Sequence, residues 1–367
     1  MLGQGAIRVG FANAETLSGG PAYTDITYKL PEAKSAICFA MPLNKSVIRS
    51  YLAKELPYGR SNYEKDQFDI HIKIYRISKE ITHLLEEKGF KAVPLFPNNK
   101  YREDIPGWRM VLMPELSLRY VAVRSGVASF GWSGNVGIKG YGTTIILGGL
   151  VTSAELEPTD PIPPEESFCN KCKLCAKVCG YQMFSDKEDF SFTLGGHTFS
   201  YANRIDKKRC ILVCGGFNGL HHSRKFSTWS PGRYEYPENE EEVLRLMNHA
   251  VRIRAKWPKI PDGSVGYTPS SGIGHDIQLS CGNCANICFG DPKETAKNYK
   301  ILTNSGCVVQ KENGEIMVLP AEEAENAFKA MNPKHQRLYT TDYKKGIKTK
   351  RQKVREDIQE ENGVKSL

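Results

Sequence analysis

The sequence predicts an α+β chain: a first half of strands and helices, followed by a cysteine-rich module that holds two [4Fe–4S] clusters. Three observations predict it. Cysteines stand as C-x-x-C-x-x-C-x-x-x-C at Cys169, Cys172, Cys175 and Cys179, and as C-x-x-C-x-x-x-C at Cys281, Cys284 and Cys288, with Cys210 between the runs. Residues 66–88 repeat apolar side chains at helical spacing. Short apolar runs of strand length flank that helix on both sides.

The elements follow in order. Ile7–Ala12 and Ser35–Met41 read as strands around the Gly-, Pro- and Thr-rich stretch Ser18–Thr27. In the helix over 66–88, Phe68, Ile72, Tyr75, Ile81 and Leu85 alternate with charges, and Gly89 closes it at the usual C-terminal position. Phe90–Leu95 is a short strand, an ordinary α/β hand-over. A second helix is expected over 115–127, then a Gly/Ser-rich loop from Gly126 to Gly142 and an apolar strand over 143–151. The proline-rich stretch Glu155–Glu166 is an extended linker. About seventy residues separate Cys210 from Cys281, too many for a compact two-cluster module. They include a helix expected over 239–256, acidic at its start and basic at its end, which suits the helix dipole. The loop Pro258–Ile277 follows, and residues 291–367 read as a peripheral extension.

Eight thiols in this order suit two clusters of four, because the tight run offers three sulfurs from one loop while its last cysteine reaches the other cluster. One set is Cys169, Cys172, Cys175 and Cys288; the other is Cys179, Cys210, Cys281 and Cys284. Zinc is the alternative, but one tetrahedral ion needs only two C-x-x-C pairs and leaves further thiols over. Disulfides suit small secreted scaffolds with dispersed cysteines, not these clusters. Cys38, in an apolar run, is expected to be a buried small hydrophobe. Cys214, four residues after Cys210, is an alternative ligand, with Cys210 preferred; Cys307 also lies outside the pattern. Such a pair of clusters moves electrons singly at low potential.

The 367 residues are 40% hydrophobic and 25% charged, as in globular proteins, and no apolar run is long enough to span a membrane. No secretory or twin-arginine leader precedes the first strand, so the cytoplasm is expected. The net charge of +9 gathers in the tail at 344–353. A solvated end is the ordinary reading of such a tail; contact with tRNA or an acidic protein is the functional one.

With these segments in place, the chain resembles the epoxyqueuosine reductases and reductive dehalogenases. Val9-Gly10-Phe11-Ala12 and Leu30–Ile37 resemble that family's first strand and the start of its second. Lys88–Pro94 resembles its helix-to-strand ending. Ala122–Gly126 with Gly131–Asn135 is similar to its "A-x-R-A-G-L-G-W-x-G-K-N" loop, and Tyr141-Gly142 with Leu150–Thr152 to its "YG…T" strand. Lys207–Cys210 matches the approach to the fifth cysteine. The likeness runs from about residue 6 to 290. It implies a nitroreductase-like cobalamin-binding α/β domain (1–157), a bacterial-ferredoxin-like two-cluster module (158–300, insertion 215–278) and a C-terminal extension (301–367).

The resemblance also implies a function: reductive cleavage of a substrate bond by a base-off cobalamin fed with single electrons from the clusters. The donor would be a ferredoxin or flavodoxin, and the substrate a small molecule or nucleoside. Gly126, Gly131, Trp132, Ser133, Gly134, Asn135, Lys139, Tyr141 and Gly142 would contact the corrin, and Tyr63 would donate a proton. A glycine-rich loop is also what a plain turn requires, and Tyr63 could be an interface tyrosine. Arg60, Lys139, His221, His222 and His275 are weaker site candidates.

The departures bear on substrate. The acid expected before the "R-A-G" helix is not matched, and Glu115 is only nearby. Thr143, Thr144 and Ile145 stand where dehalogenases keep an arginine, and Gly180 and Phe289 replace prolines. Two other functions therefore stand beside the first: an electron-transfer protein with no substrate of its own, and reduction of epoxyqueuosine in tRNA.

Overall fold

The computed structural model describes residues 1–340 except 97–99, 107, 109–112, 189, 206 and 261–279. Strand β1 (Arg8–Asn13) leads through two 3-10 turns to β2 (Ser35–Pro42). Helices α1 (Lys45–Ala53) and α2 (Gly59–Glu87) follow, then β3 (Ala92–Leu95), α3 (Leu118–Arg124), the short pair β4 (Ser129–Phe130) and β5 (Val136–Gly137), and β6 (Ile145–Thr152). The second half holds α4 (Leu174–Lys177), the hairpin β7 (Phe190–Leu194) and β8 (His197–Tyr201), α5 (Lys207–Cys214), α6 (Glu240–Arg254) and α7 (Asn283–Asn286). Helix α8 (Pro292–Thr303), the hairpin β9 (Cys307–Gln310) and β10 (Ile316–Leu319), α9 (Ala321–Lys329) and α10 (Pro333–Thr340) complete it.

The main sheet has the order β1-β2-β6-β3, and each pairing is antiparallel. The first half is thus α+β. No helix joins β1 to β2, so the parallel crossover of an α/β sheet does not arise there. Both faces of the sheet are covered, which is why β2 reads as a continuous apolar run and not as an alternation. Ala36, Cys38, Ala40, Leu147 and Val151 face α3, and Cys38 is fully buried, as its apolar run predicts. Phe39, Met41 and Ile146 face α1 and α2. Gly148 permits that second packing, since a Cβ there would lie 2.5 Å from the Ile74 and Phe39 side chains.

Local signals explain the helix ends. Asn44 caps α1, its Oδ1 accepting from the Ser46 and Val47 amides. Helix α2 ends one residue before the expected stop but begins at Gly59, seven residues before the expected start. Its first turns bury Arg60, Tyr63 and Gln67, which carry no apolar periodicity.

The core on the α1/α2 side continues into the cysteine-rich half, with Val178, Trp229, Ile287, Phe289 and Leu302 in one cluster with Phe39, Ile48 and Ile74. A further core joins the insertion to the end of the chain. Leu212, Phe217, Val243, Leu246 and Trp257 pack with Phe328 and Tyr339. Tyr339 donates through Oη to Gln310 Oε1 at 2.9 Å, and Trp257 Nε1 donates to the Leu338 carbonyl at 2.9 Å. The later described residues, around Phe328 and Tyr339, are therefore an integral layer over the insertion, while α8 packs on α1. The basic tail at 344–353 and His275 lie outside the described residues. Among the described residues no helix is long and apolar enough to cross a membrane.

Tyr339→Ala is expected to cost about 3–5 kcal/mol, in the range for deleting a buried aromatic ring. Tyr339→Phe, which removes one hydrogen bond, should cost about 1 kcal/mol. Denaturant unfolding compares the two, and equal losses would show that the ring contributes nothing to this layer.

Candidate active site

The first cysteine run winds around α4, where Lys171 and Lys173 take left-handed backbone angles (φ 56° and 58°). The second winds around α7, whose N-cap is Gly282. The fold brings the eight thiols together in two groups. Cys175 interacts with Cys169, Cys288 and Cys172, and these four line one cavity with Trp132 and Phe168, which Cys284 of the other group also reaches. Cys179 interacts with Cys281 and Cys210, and Cys284 interacts most strongly with Cys210, Cys281 and Cys179. Cys214 adds a ninth thiol, its Sγ 3.6 Å from Cys210 Sγ. Among the described residues, no three His, Cys, Asp or Glu side chains converge to hold a single metal ion.

Electrostatics show what these groups lack. Burial pushes the Cys175 and Cys179 thiols up to about 12 and raises Cys284 and Cys288 as well. Cys281 and Cys210 are the exceptions, both drawn down chiefly by hydrogen bonds from Cys214, Cys281 to about 7. Buried thiolates of this kind require a cationic centre. Donors are also in place. The Trp132 amide donates to Cys169 Sγ at 3.3 Å and Asn135 Nδ2 to Cys284 Sγ at 3.5 Å. Trp132 Nε1 and Asn286 Nδ2 are buried N–H groups with no protein acceptor. Donors with no protein acceptor beside thiol groups suit the inorganic sulfides of an iron–sulfur centre.

A backbone interlock fixes the module against the sheet. Gly142 takes φ +60°, and a Cβ there would stand 2.2 Å from the Cys288 carbonyl oxygen and 2.3 Å from the Gly290 nitrogen. The Thr143 amide donates to the Cys288 carbonyl at 3.0 Å, and Thr143 Oγ1 donates to the Ala285 carbonyl at 2.5 Å. Phe289, buried in the interface, lies under the Lys45 and Arg49 cations.

Beside this interlock lies a cleft of about 1040 Å³. Its apolar walls come from α2, β3, β6 and the segment Leu116–Tyr120, and Asn135, Thr143 and Ala285 reach it from the cysteine side. Its charged groups are the ion pair Lys29–Glu115 (2.7 Å), Lys100, Arg119 and Arg204. Tyr120 Oη and Tyr201 Oη, 3.3 Å apart, add a polar edge.

Of the loop residues expected to contact a cofactor, Asn135 lines the cleft. Gly131, Trp132 and Ser133 line the cavity of the first thiol group instead. Gly126 packs against the Asp160 carbonyl, Gly134 against Tyr201 and Arg204, and Gly142 is held in the interlock. Tyr141 lies under the Lys45 ammonium, and Lys139 is exposed. Tyr63 is buried away from the cleft, its Oη donating to Asn286 Oδ1 at 2.8 Å and accepting from Gln67 Nε2 at 3.1 Å, with burial raising its phenol above the ordinary range. Gln67, one turn on, does line the cleft. Arg60 pairs with Glu64 at 2.8 Å. His221 stacks on Phe226, and His222 contacts Gln182 at 2.9 Å. Lys29, Arg119 and Arg204 escaped the sequence reading because no local motif marks them. Glu115 was noted only as near the expected acid, and its place two residues before the Ser117 N-cap of α3 was the available signal.

No protein-family model matches the chain. Its curated relatives are epoxyqueuosine reductases. That of Bacillus subtilis is 31% identical over 154 residues, 41% of this chain and 35% of the relative. That of Listeria monocytogenes is 26% identical over 162 residues, 43% of this chain and 37% of the relative. The chain thus spans little more than a third of the length of the curated relatives it matches. Among solved structures it is similar to a catabolic reductive dehalogenase, with a TM-score of 0.40, 14% identity, and coverage of 57% of this chain and 27% of that one. The likeness to epoxyqueuosine reductases drawn from the motifs is supported by the two sequence relatives.

One consequence concerns the cleft wall. Burial lowers the His71 pKa, partly offset by the Gln67 carbonyl that meets its Nδ1 at 2.7 Å. The unfolded chain, with its histidine near pH 6.5, therefore takes up the proton first, and stability falls as pH drops from about 6.5 through the lower folded value. His71→Asn should flatten that part of the stability–pH curve measured by denaturant unfolding. An unchanged slope would show that His71 titrates alike in both states.

Proposed function

We propose that this protein is an iron–sulfur, cobalamin-dependent reductase of the reductive dehalogenase and epoxyqueuosine reductase type. The observation that supports it best is one contact. Asn135 lines the cleft and donates to Cys284, so the second thiol group lies directly behind the cleft floor. A cleft of about 1040 Å³ lies at the upper end of the range for ligand sites of ~300–1,000 Å³, which suits a large planar cofactor with its substrate.

Cys169, Cys172, Cys175 and Cys288 would hold one [4Fe–4S] cluster, and Cys179, Cys281 and Cys284 with Cys210 the other. When bound, the clusters supply single electrons at low potential, and the corrin supplies the strongly reducing centre for bond cleavage. The chain's own residues do the rest. Cys172 is exposed beside exposed Lys171 and Lys177, which suits docking of an acidic ferredoxin or flavodoxin at the first group. Asn135 and the Trp132 amide neutralise sulfur charge and fix the loop against the module. The apolar walls exclude water from the cleft. Lys29 holds a proton at Nζ, oriented by Glu115, inside the cleft where a cleaved bond needs one. Tyr63, sealed from the cleft, acts by positioning Asn286 between Cys284 and Cys288.

The name of the sequence relatives is consistent with a second substrate reading, reduction of epoxyqueuosine, which in this chain would be carried by tRNA. A tRNA shift in a gel that weakens with salt would support it, as phosphate contacts demand.

Reconstituted anaerobically with iron, sulfide and cobalamin, the chain should carry about eight irons and about one corrin. Corrin-free protein with both clusters intact would instead indicate an electron-transfer protein. Lys29→Met and Glu115→Gln should each lower turnover by about 10²–10⁴-fold without loss of iron or corrin. Full turnover in both variants would place the proton donor elsewhere.

A further inference from the structure

Two arginines stand together in the cleft with no acid to balance them. Arg119 Nη1 donates to the Gly134 carbonyl at 3.1 Å, and Arg204 Nη2 donates to the carbonyl of the preceding residue, Ser133, at 2.7 Å. Adjacent loop carbonyls thus hold both guanidinium groups, and both line the cleft. A Cβ on Gly134 (φ +70°) would lie 3.2 Å from Arg204 Nη2 and 2.9 Å from the Tyr201 ring, so the glycine leaves room for this approach. The Tyr201 hydroxyl, 3.3 Å from Tyr120 Oη, adds a polar group at this end. Glu115 is already paired with Lys29 at 2.7 Å, and among the described residues no carboxylate pairs with either arginine. Arg204 Nε is buried with no protein acceptor. Arg119 reaches cleft solvent although protein surrounds it, and that enclosure, then the Arg204 charge, lowers its pKa. Holding two like charges within cleft walls is unfavourable until an anion joins them.

We infer that Arg119 and Arg204 form an oxyanion subsite that takes a carboxylate or phosphate group of the substrate, an inference that rests on the cleft being the reaction site, as above. A guanidinium carries five N–H donors in a planar fork that matches two oxygens of one oxyanion. Each arginine has one printed bond to the loop, which leaves N–H groups for a ligand. Two forks already held by loop carbonyls lose little freedom on binding. A neutral ligand would leave both charges unbalanced, so the cleft discriminates in favour of anionic ones. Asn135, next along the loop, lines the same cleft and donates to Cys284, so an anion held here anchors its carrier on the cysteine side. Cobalamin carries a phosphate too, in its nucleotide tail, and is a second source of the same chemistry.

The test uses the full chain reconstituted anaerobically with iron and sulfide, and inorganic phosphate as the probe, followed by equilibrium dialysis at constant ionic strength. Arg119→Gln and Arg204→Gln should each weaken phosphate binding by about 10–100-fold. Lys65→Gln, on the exposed side of α2, should leave it unchanged. No saturable binding, or equal affinity in wild type and both arginine variants, overturns the inference. Phenylglyoxal labelling of the wild-type chain, read by mass spectrometry, needs no variant. Phosphate should slow labelling of Arg119 and Arg204 and leave exposed Arg76 unaffected. Labelling of the pair that phosphate does not change overturns the inference as well. Loading with cobalamin, and separately with cobinamide, which lacks the nucleotide tail, separates the two sources. Phosphate bound equally in both loaded forms assigns the subsite to the substrate. Loss in the cobalamin form alone marks the tail phosphate as the occupant, loss in both marks the corrin ring, and either overturns the substrate assignment. A chain that takes up no corrin yet binds phosphate at these arginines retains the anion site and overturns the reductase reading alone.

Discussion

The structure depends on the backbone interlock between Gly142–Thr143 and Cys288–Gly290. Two chain segments approach there so closely that a single methyl group on Gly142 would overlap the Cys288 carbonyl. The Thr143 amide and hydroxyl complete the contact with hydrogen bonds to Cys288 and Ala285. One strand end thereby sets the position of both cysteine runs relative to the sheet, because each thiol group draws on residues of both runs. The buried cluster shared by Phe39, Ile74, Ile287 and Phe289 then holds the two halves as one packed body.

Function follows from where that interlock leaves space. The sheet edge, α2 and the segment before α3 enclose the cleft, and the interlock brings Ala285 and Asn135 to its floor. Asn135 lines the cleft and donates to Cys284 Sγ, so one side chain links that thiol to the cleft. Burial raises the Cys175 and Cys179 thiols, which sets them apart from solvent-facing cysteines.

The central strands β2 and β6 were legible in the sequence because both faces of the sheet are buried there, which makes them continuous apolar runs. The part of α2 from residue 66 was legible from its period, but its first two turns were not, since they bury Arg60 and Tyr63. The hairpin Phe190–Tyr201 carried a readable signal, alternating aromatics around Gly195-Gly196, that the cysteine pattern overshadowed. The cysteine runs themselves were legible, because each repeats thiols at the intervals a short loop needs to turn several sulfurs to one side. The contact of Cys214 with Cys210 required knowing that α5 is a helix. The glycines of 126–142 suggested a ligand loop, yet several are there for close backbone packing, and Asn135 is the loop residue that meets the cleft. Lys29, Glu115, Arg119 and Arg204 come together only through the tertiary fold.

The central claim is that the Cys179/Cys281/Cys284 group sits directly behind the floor of the cofactor cleft. The most direct measurement is EPR of the anaerobically reconstituted protein, with the corrin held in its paramagnetic cobalt(II) form and the clusters reduced stepwise. The account predicts that the cobalt signal splits or broadens as one cluster is reduced, and that Asn135→Leu alters this coupling. Cobalt and cluster spectra that simply add, with no change on reduction, would contradict it.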